Sequence, residues 1–279
     1  MCLSHRLVTT ISEGRAAMSV FDLTGRKALV TGGARGLGEG MAKALIAAGA
    51  NVVIGDVEDE LGGATATTLG AGFVHLDVTD DANWESAVAA TVDQLGGLDL
   101  VVNNAGVEIT SLLTEVTAEQ IDTMLAVNVK GTTLGIKHGL LAMRPNGIAG
   151  AGGAIVNVAS VAATIAFPGI AVYSATKSAV DRLTRVAAME SGRLGYGVRV
   201  NCIYPGLVPT AMGVGLANDV AAIGLFGSPE EAVGSVVELT PAGRLGEVAD
   251  MADAVVFLAS DAARFITGAG LPVDGGMGM

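Results

Sequence analysis

Tyr173 and Lys177 stand four residues apart in the stretch YSATK. On a helix, positions i and i+4 share a face, so a phenol hydroxyl and an ammonium could point into one site. Such neighbours are frequent on exposed helices, where they carry no chemistry. The reactive version is a phenol, with a free pKa of about 10, whose anion is favoured by the adjacent cation. Tuned in that way, it could move a proton to or from an oxygen near neutral pH. Other polar groups fall at the ends of apolar runs: Asn103 and Asn104 in NNAG, Asn157 and Ser160 in NVAS, Asp56 after NVVIG and Asp77 after FVHL. Taken alone, Ser160 reads as a helix or turn cap. Asn128, in AVNVKGT, reads alone as a polar side chain stabilising a helix irregularity.

Groups so scattered need a scaffold that brings them to one edge. Short β-branched runs recur at 27–31 (KALVT), 51–56 (NVVIGD), 73–77 (FVHLD), 98–104 (LDLVVNN), 153–160 (GAIVNVAS), 198–204 (VRVNCIY) and 270–274 (GLPVD). Longer Ala/Leu-rich stretches between them predict helices near 37–48, 59–68, 81–95, 118–143, 172–194 and 247–260. Continuous apolar strands alternating with helices indicate a parallel sheet covered on both faces. With right-handed crossovers this is an α/β fold, a single-domain Rossmann-type doubly wound parallel sheet of about seven strands. The regular pattern starts near Phe21, so residues 21–279 are expected to form the domain. Residues 1–20 read as a mobile extension in which Met18 could serve as a second start. The stretch 205–228 shows no regular pattern, and a connection that long is usually functional. The glycine-rich NGIAGAGG (146–153) is longer than a turn needs.

Composition narrows the partners. The chain has 279 residues, 51% hydrophobic and 16% charged, with a formal net charge of −12. That balance argues against nucleic acid and against acidic membrane surfaces, which both require Lys/Arg-rich patches. No apolar run reaches the roughly 18 residues of a membrane span. Cys2 and Cys202 sit in unrelated settings, which speaks against a disulfide framework and for a reducing, cytoplasmic location. His5, His75 and His138 are scattered without ligand spacing, so no metal is expected.

The turn after the first strand reads TGGARGLG, from Thr31 to Gly38. Glycines there permit positive φ and a close backbone approach to a pyrophosphate at the start of the next helix. The spacing is not G-x-G-x-x-G, but its place between the first strand and the first helix favours a nucleotide. Gly32, Arg35, Gly36, Leu37 and Gly38 are the expected contacts. Asp56, ending the second strand, lies near the offset at which a carboxylate accepts the adenosine ribose hydroxyls. It would also repel a 2′-phosphate, so NAD is expected over NADP, with Arg35 the one nearby cation. Asp77, with Val78 beside it, is placed to reach the adenine.

These motifs together, TGGARGLG, NNAG, AVNVKGT, NVAS, YSATK and YPGLVPT (204–210), resemble the short-chain dehydrogenase/reductase family from about Leu23 to the VDGG at 273–276. The resemblance implies a Tyr173 general acid/base whose pKa is lowered by Lys177 and by oxidised nicotinamide. It implies a Lys177 that holds the nicotinamide ribose, a Ser160 that binds the substrate oxygen, and an Asn128 that relays protons from Lys177 through water. Asn103, Asn104, Ala105, Gly106, Pro205, Gly206, Val208 and Thr210 would wall the nicotinamide half, with Val208 offering its backbone to the carboxamide.

Apolar residues dominate the segment after Pro205 and the loop VAATIAFPGIAV (161–172), with Asp219 the only charge before Glu230. A lipophilic secondary alcohol or ketone is therefore expected as substrate. The chain most resembles members related to 3α(20β)-hydroxysteroid dehydrogenases, including TPAGRLGE (240–247), so a hydroxysteroid comes first. A 3-oxoacyl-carrier-protein reductase is the alternative, and a non-catalytic NAD-sensing protein a second. The resemblance also implies pairing of the long helices 118–143 and 172–194 across a two-fold axis, in a homotetramer or a dimer.

Overall fold

The computed structural model describes residues 20–279. The extension expected at 1–20, together with Cys2 and His5, lies outside the described residues apart from Val20. Seven strands form one parallel sheet in the order β3-β2-β1-β4-β5-β6-β7. They are β1 Lys27–Thr31, β2 Asn51–Asp56, β3 Gly72–His75, β4 Leu100–Asn103, β5 Gly153–Val158, β6 Val198–Pro205 and β7 Gly270–Val273. The order reverses between β1 and β4, which opens a crevice at the carboxyl ends of those strands.

The strands are apolar at nearly every position because successive side chains enter two different cores. Ala28, Val30, Val52, Ile54, Leu100, Val102, Ala154 and Val156 join one core with Met41 and Leu45 of α1 (Gly36–Ala47) and Met251 and Val255 of α9 (Val248–Ala259). Leu29, Val53, Val101 and Ile155 face the other. There they meet Trp84 and Val88 of α3 (Asp81–Leu95), Ile136 and Leu140 of α5 (Thr132–Met143), and Ala187 and Ala188 of α6 (Ala171–Arg193). Helix α2 (Asp59–Leu69) packs outside β2 and β3.

Two expectations need correction. The stretch 118–143 is not one helix: α4 (Ala118–Met124) passes into a π-helical turn at Leu125–Gly131 before α5 begins. Asn128 lies within that turn, fully buried, with its side chain bonded elsewhere in the fold. Nor is 205–228 irregular throughout, because it holds α7 (Ala211–Ala222), capped where the Thr210 hydroxyl accepts the Gly213 N–H. An eighth helix, α8 (Pro229–Leu239), follows with Pro at its first position, and the Ser228 hydroxyl accepts the Glu231 N–H. The glycine-rich segment folds back on the end of α5, Ala149 N–H donating to Ala142 O at 3.1 Å and Gly152 N–H to Met143 O at 2.8 Å.

Trp84 ties these layers to the crevice. It is fully buried, its indole N–H donates to Val78 O at 3.0 Å, and its ring stacks on His138. Trp84→Ala should lower the unfolding free energy by about 3–5 kcal/mol in urea titration, from lost burial and the cavity left behind. A loss below about 1 kcal/mol would mean that the site collapses freely and that Trp84 is not a keystone.

Candidate active site

The crevice begins at the glycine turn after β1. Gly32 and Gly36 have φ of 62° and 63°, a region costly for residues with a Cβ. A methyl on Gly38 would lie 2.1 Å from Gly32 O, so only glycine lets the helix start close against the turn. Asn104 braces the turn from below, its amide donating to Thr31 O and Gly32 O, both at 3.0 Å. The backbone N–H groups of Asn104 and Ala105 both donate to the Thr31 hydroxyl at 3.1 Å. Leu37 packs on the α1–α9 core. Unlike α3, α4, α7 and α8, α1 has no side-chain cap, since Arg35 makes no capping bond. Its first-turn N–H groups are suited to an anion, and the glycines leave room for one.

Beside the turn, Asp56 is anchored by its own surroundings. Its carboxylate accepts the Ala34 N–H at 3.0 Å and the Glu58 N–H at 3.1 Å. Arg35 is paired with Glu58 at 2.7 Å. Asp77 accepts from the Thr79 N–H at 2.9 Å and the Thr79 hydroxyl at 2.8 Å, so it stabilises the turn before α3. Val78 is buried beside it.

The polar groups at the ends of β4 and β5 meet α6 across the crevice. Ser160 follows β5 and caps a short 3₁₀ turn, its hydroxyl accepting the Ala162 N–H at 3.1 Å. The same side chain lies close enough to the Tyr173 hydroxyl to favour its anion. Lys177 is 4% exposed, and its ammonium donates to Val158 O at 2.8 Å and lies 5.5 Å from the centre of the Tyr173 ring. Asn128 closes the floor. Its oxygen accepts the Val107 N–H at 2.9 Å, and its amide donates to Val107 O at 2.8 Å and to the Thr176 hydroxyl at 3.0 Å. Thr176 in turn donates to Tyr173 O at 2.7 Å. Gly106 touches both partners: a methyl there would lie 3.3 Å from the Asn128 oxygen and 3.4 Å from the Lys177 nitrogen. Asn103 faces away from this group, donating to Asn157 at 2.8 Å within the sheet.

Burial sets the charges. Loss of hydration, opposed by Ser160 and aided by the charge of Glu108, pushes the Tyr173 phenol up to about 12. Burial alone brings the Lys177 ammonium down to about 8. A phenol lowered by Lys177 is thus not what the protein alone displays. The ammonium is directed at a backbone carbonyl, and hydration lost by the phenolate is the largest influence on Tyr173.

The far wall comes from the segment after β6. Pro205 ends that strand, and Gly206 lies against Asp274, with Gly206 N–H donating to Val273 O at 3.0 Å. Val208 is buried, and Thr210 stands 3.8 Å from where a Gly36 side chain would project, so α7 starts beside the glycine turn. A cavity of about 380 Å³ lies farther out, between α8, β7 and the start of α9, and shares Gly206, Leu207, Val273 and Asp274 with this wall. Two participants are absent from the sequence-based set. Thr176 was within YSATK but its role depends on Asn128 reaching it from another element. Glu108, a charge in the otherwise apolar run after NNAG, carried a signal of its own. Among the described residues, no group of three or more His, Cys, Asp or Glu side chains is placed to hold a metal ion.

A family model described as enoyl-(acyl carrier protein) reductase matches residues 32–278. The chain belongs to the short-chain dehydrogenase/reductase family. As a family member it is an oxidoreductase acting on alcohols, with a nicotinamide dinucleotide as its cofactor. It is similar to trans-4-hydroxycyclohexanecarboxylate dehydrogenase of Sinomonas cyclohexanicum, 37% identical over 89% of this chain and 91% of that one. Similarity to 3-alpha-(or 20-beta)-hydroxysteroid dehydrogenase of Mycobacterium tuberculosis H37Rv is 39% over 91% of this chain and 90% of that one. The crystal structure of a Sinorhizobium meliloti 1021 protein described as a short-chain alcohol dehydrogenase superposes with a TM-score of 0.81 at 36% identity, covering 92% of this chain and 98% of that one. Among the described residues, no helix of this dehydrogenase is long and apolar enough to cross a membrane.

The buried ammonium makes stability depend on pH. From about 8 to 10.5 the unfolded chain binds the Lys177 proton and the folded chain does not, so folding gains stability as pH rises. Tyr173 acts in the opposite sense, and only above its unfolded value of 10.0. The unfolding free energy of wild type relative to Lys177→Met should therefore rise from about pH 8 to about pH 10 in urea titrations. A flat or falling difference would contradict the assignment of a desolvated ammonium.

Proposed function

We propose that this enzyme interconverts a secondary alcohol and a ketone on a lipophilic, ring-bearing substrate, with NAD as its cofactor. The observation that carries the reading is the meeting of Ser160, Tyr173 and Lys177 beside an uncapped, glycine-lined helix start. Gly32, Arg35, Gly36, Leu37 and Gly38 would hold the pyrophosphate, and Asp56 and Asp77 with Val78 the adenosine end. Asn104, Ala105, Gly106, Pro205, Gly206, Val208 and Thr210 would border the nicotinamide end. When bound, oxidised nicotinamide supplies the hydride acceptor and a positive charge.

In oxidation, Tyr173 takes the proton from the substrate hydroxyl; in ketone reduction it returns one to the oxygen. Ser160 donates to that same oxygen and holds it in line. Lys177 stabilises the phenolate through the field of its ammonium and binds the nicotinamide ribose. Asn128 fixes the Val107 backbone and Thr176 beneath them and passes protons through water to solvent.

The NAD preference rests on Asp56, whose carboxylate would repel a 2′-phosphate, with Arg35 beside it paired with Glu58. The names of the relatives share a hydroxyl on a carbon ring, which suits a steroid or a smaller cyclic alcohol. A 3-oxoacyl-carrier-protein reductase fits less well, since a net charge of −12 repels an acidic carrier. A buried, free Cys202 suits a reducing, cytoplasmic setting. Exposed Leu141 on α5 and exposed Val186 and Met189 on α6 support pairing of these helices in a dimer or tetramer.

Tyr173→Phe should reduce kcat for oxidation of cyclic secondary alcohols by NAD by about 10²–10⁴-fold while leaving NAD affinity within a few-fold, read by nicotinamide absorbance and calorimetry. Undiminished turnover would remove Tyr173 from the chemistry. Asp56→Ser should raise the ratio of NADP to NAD efficiency by about tenfold or more. An unchanged ratio would sink the NAD argument.

A further inference from the structure

The crevice is less apolar than its loops suggest, because the segment that leaves β4 beside it carries a carboxylate near Tyr173. Glu108 lies two residues beyond Gly106, on the segment that connects β4 to α4 and runs beside the loop before α6. That segment is pinned at both ends. Val107 exchanges two hydrogen bonds with Asn128, and Ser111 N–H donates to Gly169 O at 2.8 Å, bridging to the residue before α6. Between the pins, the Glu108 carboxylate accepts the Thr110 hydroxyl at 2.9 Å. Thr110 in turn packs near Gly169, where Ile223 and Leu225 close in from the end of α7.

Glu108 is half-buried, and its charge is felt at the Tyr173 hydroxyl, the group that would handle the substrate proton. Asp219 of α7 is near enough to act on Glu108 in turn, and burial and Asp219 both push the Glu108 carboxyl up against the bond from Thr110. No arginine or lysine appears among the groups acting on Glu108, and the ammonium of Lys177 donates to Val158 O. A carboxylate in this position has one hydrogen-bond donor and capacity for more. It accepts hydrogen bonds from a hydroxyl or ammonium and repels another carboxylate.

We propose that Glu108 is the specificity-determining residue of this crevice, accepting a hydrogen bond from a second hydroxyl on the substrate and excluding substrates that carry a carboxylate. The inference rests on the alcohol dehydrogenase reading above and deepens it. The favoured substrate class is an uncharged cyclic diol or polyol, oxidised at one carbinol while another is held by Glu108. Asp219 adds to the exclusion of anions from the α7 side. Glu108 acts on selection and orientation and, through its charge, on Tyr173, without touching the reacting atoms.

The test compares kcat/KM for cyclohexanol, cyclohexane-1,4-diol and 4-hydroxycyclohexanecarboxylate, with NAD and with NADP, in wild type, Glu108→Gln and Thr110→Val. Wild type should favour the diol over cyclohexanol by about tenfold and use the carboxylate least. Glu108→Gln keeps an acceptor for Thr110 but removes the charge. Compared on the pH plateau, it should bring the three substrates to within a few-fold of one another, with cyclohexanol little changed. It should also move the ascending limb of the pH profile for alcohol oxidation to lower pH, because a negative charge near Tyr173 is gone. Thr110→Val leaves the carboxylate in place and should keep the wild-type order. An unchanged order in Glu108→Gln, or a wild type that prefers the carboxylate, overturns the role of Glu108 while leaving the dehydrogenase intact. Equal loss of discrimination in both variants assigns the effect to loop structure and overturns it as well. A wild type that oxidises none of these or any wider panel of alcohols with either nucleotide defeats the parent reading, and the proposal with it.

Discussion

Lys177 holds a side-chain ammonium almost entirely out of water, 4% exposed, with a single backbone carbonyl as its hydrogen-bond partner. Placing an ion in such a setting opposes folding by several kcal/mol unless neighbours compensate. None of the ion pairs among the described residues includes it. What compensates is Val158 O at 2.8 Å and the face of the Tyr173 ring. Tyr173 is raised by the same desolvation. The free enzyme therefore holds a neutral phenol and a weakened ammonium side by side. An added positive charge would bring the phenol down towards working range, and oxidised nicotinamide carries one. Under the proposed mechanism, cofactor binding and activation of the proton carrier would be one event.

The rest of the fold keeps this pair in place. The parallel sheet ends β4 and β5 at the same level, so that NNAG and NVAS border one crevice. The π-helical turn between α4 and α5 directs Asn128 inward. Its three hydrogen bonds lock the Val107 backbone and Thr176, one residue from Lys177. A regular helix through 118–143 would rotate Asn128 away from those partners. The glycine turn and the start of α7 then close the opposite side, bringing Thr210 near Gly36.

Strands and most helices are legible in the sequence because their signals are local. KALVT and NVVIGD are apolar at consecutive positions only because two cores claim alternate residues. The π turn is not legible, since the reward for the extra residue per turn is a set of bonds to Val107 and Thr176 made only in the folded chain. Helix α7 is hidden by Gly213 and Gly215, which weaken helical propensity, although the Thr210 cap was a usable mark. The residues of the candidate site can be proposed from their motifs. Their electrostatics cannot, because the balance between desolvation and the Lys177 field depends on where the ammonium points. Glu108 shows the same limit: a lone charge in an apolar loop is visible, but its reach to Tyr173 is a property of the fold.

The central claim is that Tyr173 is a high-pKa phenol in the free enzyme and is brought down by the bound oxidised cofactor. Ultraviolet difference titration of wild type against Tyr173→Phe, with and without saturating NAD, measures this directly. The account predicts no tyrosinate from Tyr173 below the ordinary tyrosine range of about pH 10 in the free protein, and a downward shift of more than about one pH unit with NAD bound. The same titration curve in both states, or an ionised Tyr173 near neutral pH in the free protein, would contradict it.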